Sequence, residues 1–261
     1  MMQALRSTAE TLSRHHTMRK RLPQKWGGLN LSCSPGNNLR VLVPGERGWD
    51  QRLLDFADSL VEPDTVVWDI GANMGVFAFP AATRARFVLA VEADPFNVAL
   101  LERSRTDNPS LPLQVLGAAV TEAAGIARLR LSKRGRASNS LEGAHESCQT
   151  GGWRDVATVC AVTLDDLLTH FPAPDLIKID VEGAEHFVLR GASRVLANRP
   201  KIFVETAEAN GREVAALLRN AGYNLFSVDG GPAQPVPVRE GDAFFELLAI
   251  GIDRDLPAAR R

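Results

Sequence analysis

Four carboxylates, Asp69, Glu92, Asp180 and Glu205, each stand at or near the carboxyl end of a short apolar run. Carboxylates so placed can accept hydrogen bonds from ligand hydroxyls, face a cation, or take a proton as a general base. Glu182 and His186 follow Asp180 closely and add two more titratable groups. Lys178 precedes Asp180 by two residues, so a strand would point both side chains to one face. A lysine inside an apolar run needs a counter-charge, because burying an unpaired charge is costly. Asp180 or Glu205 can supply it, so a buried ion-pair network is the alternative to a catalytic cluster, as a helix-surface place is for His186. Asp180, Glu182 and Glu205 also offer oxygen ligands suited to Mg²⁺ or Ca²⁺. Their spacing singles out no metal site, and none is expected.

Between the first two carboxylates runs Gly71-Ala72-Asn73-Met74-Gly75, after an apolar strand pattern and before a helical one. A strand passing through a glycine turn into a helix is a common way to hold a nucleotide-like cofactor. The dinucleotide fingerprint needs glycine at the first, third and sixth turn positions. Here those are Gly71, Asn73 and Val76, so two of three fail. The second glycine lets a pyrophosphate approach, and a cofactor without pyrophosphate relaxes that demand. S-adenosylmethionine is such a cofactor. Gly71, Ala72, Asn73 and Gly75 are then the candidate turn contacts. Asp69 either faces the cofactor's ammonium, directly or through water, or caps the turn. Glu92 either accepts from both ribose hydroxyls or is a solvated strand end; a carboxylate there would serve NAD as well. Ala118 is small enough to let an adenine ring approach, or it simply packs. Asp94 reads as a helix cap.

The elements that must position these groups follow a regular rhythm. Residues 66–70 read as a strand, 76–82 as a helix, 87–91 as a strand, 97–105 as a helix and 113–116 as a strand. Residues 119–120 and 126–131 read as a β-hairpin excursion, and 132–153 as a surface loop of the length that is commonly functional. Ser138, Asn139 and Ser140 offer small polar groups within it. Then come strand 159–162, a helix capped by Thr163, strand 176–179, helix 186–197, strand 202–204 and helix 212–220, with Gly222 as its stop. Strands 224–228 and 244–250 have no helix between them and suggest a hairpin. Upstream, 3–18 reads as a helix, the run Arg19-Lys20-Arg21 as a solvated arm or an anion contact, 22–44 as short strands and turns, and 49–60 as a helix. Alternating strands and helices imply parallel pairing with right-handed crossovers. The expected fold is α/β and Rossmann-like: a mostly parallel sheet with an antiparallel C-terminal strand and helices on both faces. The expected organisation is an N-terminal helical arm with short strands over 1–60, a main domain over 61–253 with a loop insertion near 132–153, and a tail over 254–261.

Composition sets few limits beyond these. The 261 residues are 45% hydrophobic and 23% charged, ordinary values for a globular chain. A formal net charge of -1 gives no field that favours nucleic acid, and no nucleic-acid partner is expected. Cys33, Cys148 and Cys160 form no CxxC pair and read as free thiols. No apolar run reaches the roughly 18 residues of a membrane span, and 1–16 lacks a signal-peptide core. A cytoplasmic protein is expected.

Four blocks together resemble the FkbM-type methyltransferases. They are Asp69-Ile70-Gly71-Ala72-Asn73-Met74-Gly75; Val91-Glu92-Ala93-Asp94-Pro95; Thr163-Leu164-Asp165-Asp166; and Ile177-Lys178-Ile179-Asp180-Val181-Glu182-Gly183-Ala184-Glu185 with Leu189-Arg190-Gly191-Ala192. The first block is shared by many methyltransferases; the last is more specific. The resemblance covers 64–205, with an extension to 250. It implies a class I, S-adenosylmethionine-dependent fold and methylation of a hydroxyl on a sugar, polyketide or similar small molecule. Asp180 is then the leading candidate for general base or acceptor orientation, with Lys178, Glu182, Glu205 and His186 near it. Two readings compete: a nicotinamide-dependent oxidoreductase, and a non-catalytic cofactor-binding module. Residues before 64 and the loop 132–153 carry less of the pattern and are expected to choose the substrate.

Overall fold

The computed structural model of the protein describes residues 13, 15–133, 135–145, 151–206 and 208–254. Most of the expected helix over 3–18 falls outside them, as does the tail after 254; at its described end Met18 opens a strand, not a helical turn. The elements are β1 (Met18–Arg21), β2 (Asn30–Cys33), α1 (Gln51–Leu60), β3 (Val66–Ile70), α2 (Ala78–Ala82), β4 (Phe87–Glu92), α3 (Pro95–Asp107), β5 (Leu113–Gly117), β6 (Ala119–Val120), β7 (Gly125–Ser132), β8 (Ser140–Leu141) and β9 (Trp153–Val162). They continue with α4 (Leu164–Leu167), β10 (Leu176–Ile179), α5 (Glu185–Arg190), α6 (Ser193–Ala197), β11 (Lys201–Glu205), α7 (Glu208–Asn220), β12 (Tyr223–Ser227), β13 (Val236–Pro237) and β14 (Glu246–Gly251).

The main sheet has the order β13-β12-β14-β11-β10-β3-β4-β5. Strands β11, β10, β3, β4 and β5 are parallel, and β14 lies antiparallel between β11 and β12. The central strands are nearly continuous apolar runs because both of their faces are covered. Alternate residues feed two cores. Val67, Phe203 and Leu248 join α1, α2 and α3 on one face. Trp68, Ile177 and Val204 join α4, α5, α6 and α7 on the other. The fold is the expected α/β sheet with helices on both faces.

Several local expectations need correction. Residues 119–120 and 126–131 do not pair with each other. Strand β9 lies between them, parallel to β6 and antiparallel to β7, in a second sheet of order β6-β9-β7-β8. β9 is accordingly ten residues long, not four, and the loop near 132–153 carries β8 and a short 3₁₀ turn. The helix over 186–197 is two helices. The Asp165 carboxylate accepts the N–H groups of Arg194 and Val195 at 3.0 Å, so a cap donated by α4 starts α6 afresh after Gly191. Residues 39–42 form a 3₁₀ turn, with Asn38 accepting from the Arg40 N–H at 3.0 Å. The basic run is no free arm: β1 pairs with β2, and the Lys20 ammonium donates to the carbonyls of Val41, Val43 and Gly48. The Thr163 cap is present as a full capping box with Asp166, a device that contributes about 1 kcal/mol.

Candidate active site

The chain leaves β3 through three residues with positive φ: Gly71 at 79°, Asn73 at 52° and Gly75 at 86°. The N–H groups of Gly71 and Ala72 both donate to the Val91 carbonyl at the end of β4, at 2.9 and 3.0 Å. Gly71 is needed for space as well as for φ. A Cβ there would lie 1.8 Å from the Asp180 carbonyl oxygen, so the glycine turn and the turn after β10 are pressed together.

Lys178 joins those two turns from below. It is 2% exposed and is the register partner of Asp69 across β10 and β3. Its ammonium lies 3.2 Å from Asp69 Oδ1, the Gly71 carbonyl and Asp180 Oδ2. Burial opposes the charge on Lys178, but the carboxylates of Asp69, Asp180 and Glu205 outweigh it and hold the pKa above the ordinary lysine value. Burial likewise raises Asp69, against the pull of Lys178. Asp69 supports the turn from beneath through this ion pair.

Glu92 closes the other side. Its carboxylate accepts the N–H groups of Asn73 and Asp94, each at 2.7 Å. Burial pushes it up to about 7 despite those two bonds. Asp94 is the expected cap, accepting from the Phe96 N–H at 2.9 Å. It also ties down the loop after β7, through Arg136 Nη1 at 2.7 Å and Asn139 Nδ2 at 2.8 Å. Arg136 is buried over the Phe96 ring, 4.1 Å from its centroid. On the N-terminal side, the Asn37 amide donates to Asn73 at 2.6 Å and Asn97 at 2.7 Å. Sequence reasoning missed Arg136, Asn37 and Asn97. An arginine in a polar loop and an asparagine after a glycine both read as solvated, and nothing local marks them otherwise.

Two cavities open at the carboxyl ends of the strands. The first, about 760 Å³ including its open mouth, is lined by Gly71, Asn73, Glu92 and Ala118, and by Arg136 and Leu141 from the inserted sheet and its loop. The second, about 840 Å³ by the same measure, lies between α1 and the sheet, with Asp50, Phe56, Met74, Lys178 and Phe203 in its wall. Phe56 and Phe203 stack there with centroids 4.2 Å apart. Asn73, Ala137, Asp180 and Glu205 line both cavities, and Asp69 lines neither.

Glu182 lines the first cavity in a left-handed conformation, φ 53°. Burial and the neighbouring carboxylates of Asp180, Glu205 and Glu185 push its pKa upward. Glu205 is pushed up too, by Asp180 first and by desolvation second, although it stands exposed at the strand end. Glu185 holds the turn together: it accepts from the N–H groups of Val181 and Gly183 at 3.2 and 3.0 Å, and from the Asn210 amide. His186 lines neither cavity. Its ring packs tilted against those of His145 and Phe187, with centroids 5.2 and 4.0 Å away.

The Methyltransferase FkbM domain family matches residues 69–225. The chain belongs to the FkbM methyltransferase family. The match runs from Asp69 through both pressed turns to β12, so the residues just described lie inside it, apart from Asn37 and the N-terminal wall of the second cavity. The protein is also similar to the hexuronic acid methyltransferase AglP of Haloferax volcanii, with 27% identity over 181 residues that cover 68% of this chain and 69% of AglP. Among solved structures it is similar to a precorrin-6y C5,15-methyltransferase from Geobacter metallireducens, at 12% identity and TM-score 0.46, covering 76% of this chain and 87% of that one. A methyltransferase FkbM from Methylobacillus flagellatus matches at 18% identity and TM-score 0.44, covering 83% and 58%. Among the described residues, no helix is long and apolar enough to cross a membrane.

Proposed function

We propose that this FkbM-family chain transfers a methyl group from S-adenosylmethionine to a hydroxyl oxygen of a small, sugar-like acceptor. The observation that carries the proposal is the meeting of two cavities at Asp180 and Glu205. One cavity fits the cofactor. Glu92 would hold the ribose hydroxyls, and Gly71 and Asn73 the amino-acid end, whereas Ala72 faces the second cavity and Gly75 lines neither. Ala118 leaves room for the adenine. The other cavity fits an acceptor whose hydroxyl reaches the shared wall.

When bound, the cofactor supplies an electrophilic methyl group that an oxygen takes by in-line displacement. The protein's part is alignment and proton management. Alignment can supply about 7–11 kcal/mol of the barrier in favourable cases. Asp180 is placed to accept the hydroxyl proton as the oxygen attacks, while Lys178 holds its carboxylate in place. Glu182 and Glu205, whose pKa values are raised, suit a different role, because they can retain protons and donate hydrogen bonds to the acceptor. His186, which lines neither cavity, has no part in this scheme. The family assignment sets the nicotinamide reading aside; the non-catalytic reading predicts no turnover.

Incubation with methyl-labelled S-adenosylmethionine and a panel of hexuronic acid and neutral hexose glycosides tests the proposal. The relative described as a hexuronic acid methyltransferase places sugar acids first in the panel. Transfer of label to oxygen, located by NMR, is expected. Cofactor binding without transfer to any hydroxylated acceptor would sink the proposal.

Glu92 gives a further expectation. Ribose hydroxyls donate to the ionised carboxylate, and in the free protein that carboxyl titrates near 7. Affinity for S-adenosylhomocysteine therefore falls as the pH drops below about 7, by up to roughly tenfold per pH unit. It levels off above that value. Calorimetry from pH 5.5 to 8.5 checks this, and Glu92→Gln should remove that part of the slope. An unchanged slope in the variant would show that Glu92 does not set it.

A further inference from the structure

Away from the two cavities, three side chains from three segments converge. His145 lies in the loop after β8, His186 in the first turn of α5 and Glu213 in α7. One imidazole nitrogen from each histidine and one carboxylate oxygen of Glu213 lie within 4.8 Å of one another. The two rings are tilted by 58°.

A second observation points to a ligand at this place. His186 is only 5% exposed, and its Nδ1 is buried without a hydrogen-bond partner. Leaving such an atom unpaired costs roughly 1–3 kcal/mol, a cost that a bound ligand removes. Burial is the main force that lowers the His186 pKa, with Glu213 pulling the other way. Glu213 uses Oε1 to bind Arg190, so a carboxylate oxygen is left for another partner, and its orientation is already fixed by a neighbour, as metal ligands require.

We propose that His145, His186 and Glu213 bind a divalent transition-metal ion of the Zn²⁺ class. Two imidazoles and a carboxylate are a ligand set for zinc with an open position for water. Mg²⁺ and Ca²⁺, which take oxygen ligands, are excluded by the two nitrogens. The site is distinct from the acidic cluster at Asp180. Its work is mechanical. The His145 N–H donates to the Gly183 carbonyl at 3.2 Å, and the segment before His145 carries Arg136, Asn139 and Leu141, which line the first cavity. An ion here fastens that segment to α5 and α7, beside the turn that carries Glu182.

The test uses the full chain, stripped with a chelator and titrated by calorimetry with ZnCl₂ alone. We expect saturable binding of one equivalent, a higher Tm with Zn²⁺ than without, and a visible d–d band when Co²⁺ replaces it. His145 is on the surface, so His145→Ala should fold, and it should weaken Zn²⁺ binding by at least roughly 10–100-fold. Glu213→Gln should do the same. The chain has five histidines, and a His15→Ala/His16→Ala variant should bind as the wild type does. Failure of the stripped wild type to take up one equivalent would overturn the proposal. So would unchanged affinity in both His145→Ala and Glu213→Gln, or a loss confined to the His15→Ala/His16→Ala variant.

Discussion

Asp180→Asn lowers kcat by roughly 10²–10⁴-fold, the range that a positioned general base supplies, while affinity for S-adenosylmethionine changes little. The substitution keeps the shape of the side chain. It keeps the backbone too: the Asp180 N–H still donates to the Ile70 carbonyl at 3.0 Å, and the Asp180 carbonyl still packs under Gly71. An amide oxygen can still accept from Lys178. What is lost is the capacity to take a proton at the wall shared by both cavities. The wall is half-open there, with the Asp180 side chain 27% exposed, so folding should survive. Single-turnover rates and calorimetry on the same preparation separate the two effects. A wild-type rate with intact cofactor binding would remove Asp180 as the base.

Lys178→Met destabilises the fold by about 3–5 kcal/mol, the cost of stripping one partner from a buried ion pair. For a chain of this size that is a fall in Tm of roughly 6–20 °C. Methionine fills the volume, so the loss is electrostatic. It leaves Asp69, fully buried on β3, without its counter-charge. Burial already raises the Asp69 pKa, and removing the ammonium raises it further. A carboxyl with a raised folded pKa contributes stability below its unfolded value, and that stability is lost as the pH rises through the folded one. The variant should therefore lose more stability at pH 8 than at pH 5, measured by urea unfolding. Adding Asp69→Asn to Lys178→Met should recover much of the loss. A double variant no more stable than Lys178→Met alone would show that the pair is not what holds the turn. A methyl-transfer rate that falls in the rescued double variant would mark Lys178 as a positioning residue for Asp180, and a rate that survives would confine it to holding the fold.

The sheet was legible because its central strands are mostly apolar and carry a carboxylate at or next to their carboxyl ends. β3, β4, β10 and β11 announce themselves in that way, and the parallel order follows from the helices between them. The inserted sheet was not. β7 pairs with β9 across the intervening residues 133–152, so nothing local to either strand names its partner. The glycine turn, Glu92 and Asp180 were readable from residue type and spacing. The second cavity was not, because Asp50 and Phe56 come from α1 and its cap and Phe203 from β11, and only tertiary packing brings them together. His145 and Glu213 were silent for the same reason. Their meaning depends on a third residue, His186, whose own sequence neighbourhood gave it a surface place that the fold denies.

The contact between Gly71 and the Asp180 carbonyl has a consequence for how such chains diverge. Two segments more than a hundred residues apart share a space too small for one methyl group, and one lysine ties both to the same ion pair. Neither can drift alone. In chimaeras that exchange segments between relatives, 66–75 and 176–185 must travel as one cassette, whereas the inserted sheet and the N-terminal wall can be replaced provided the contacts to Asp94 and Asn73 are kept. The chain thus separates what is inherited as a unit from what selection can retune for a new acceptor.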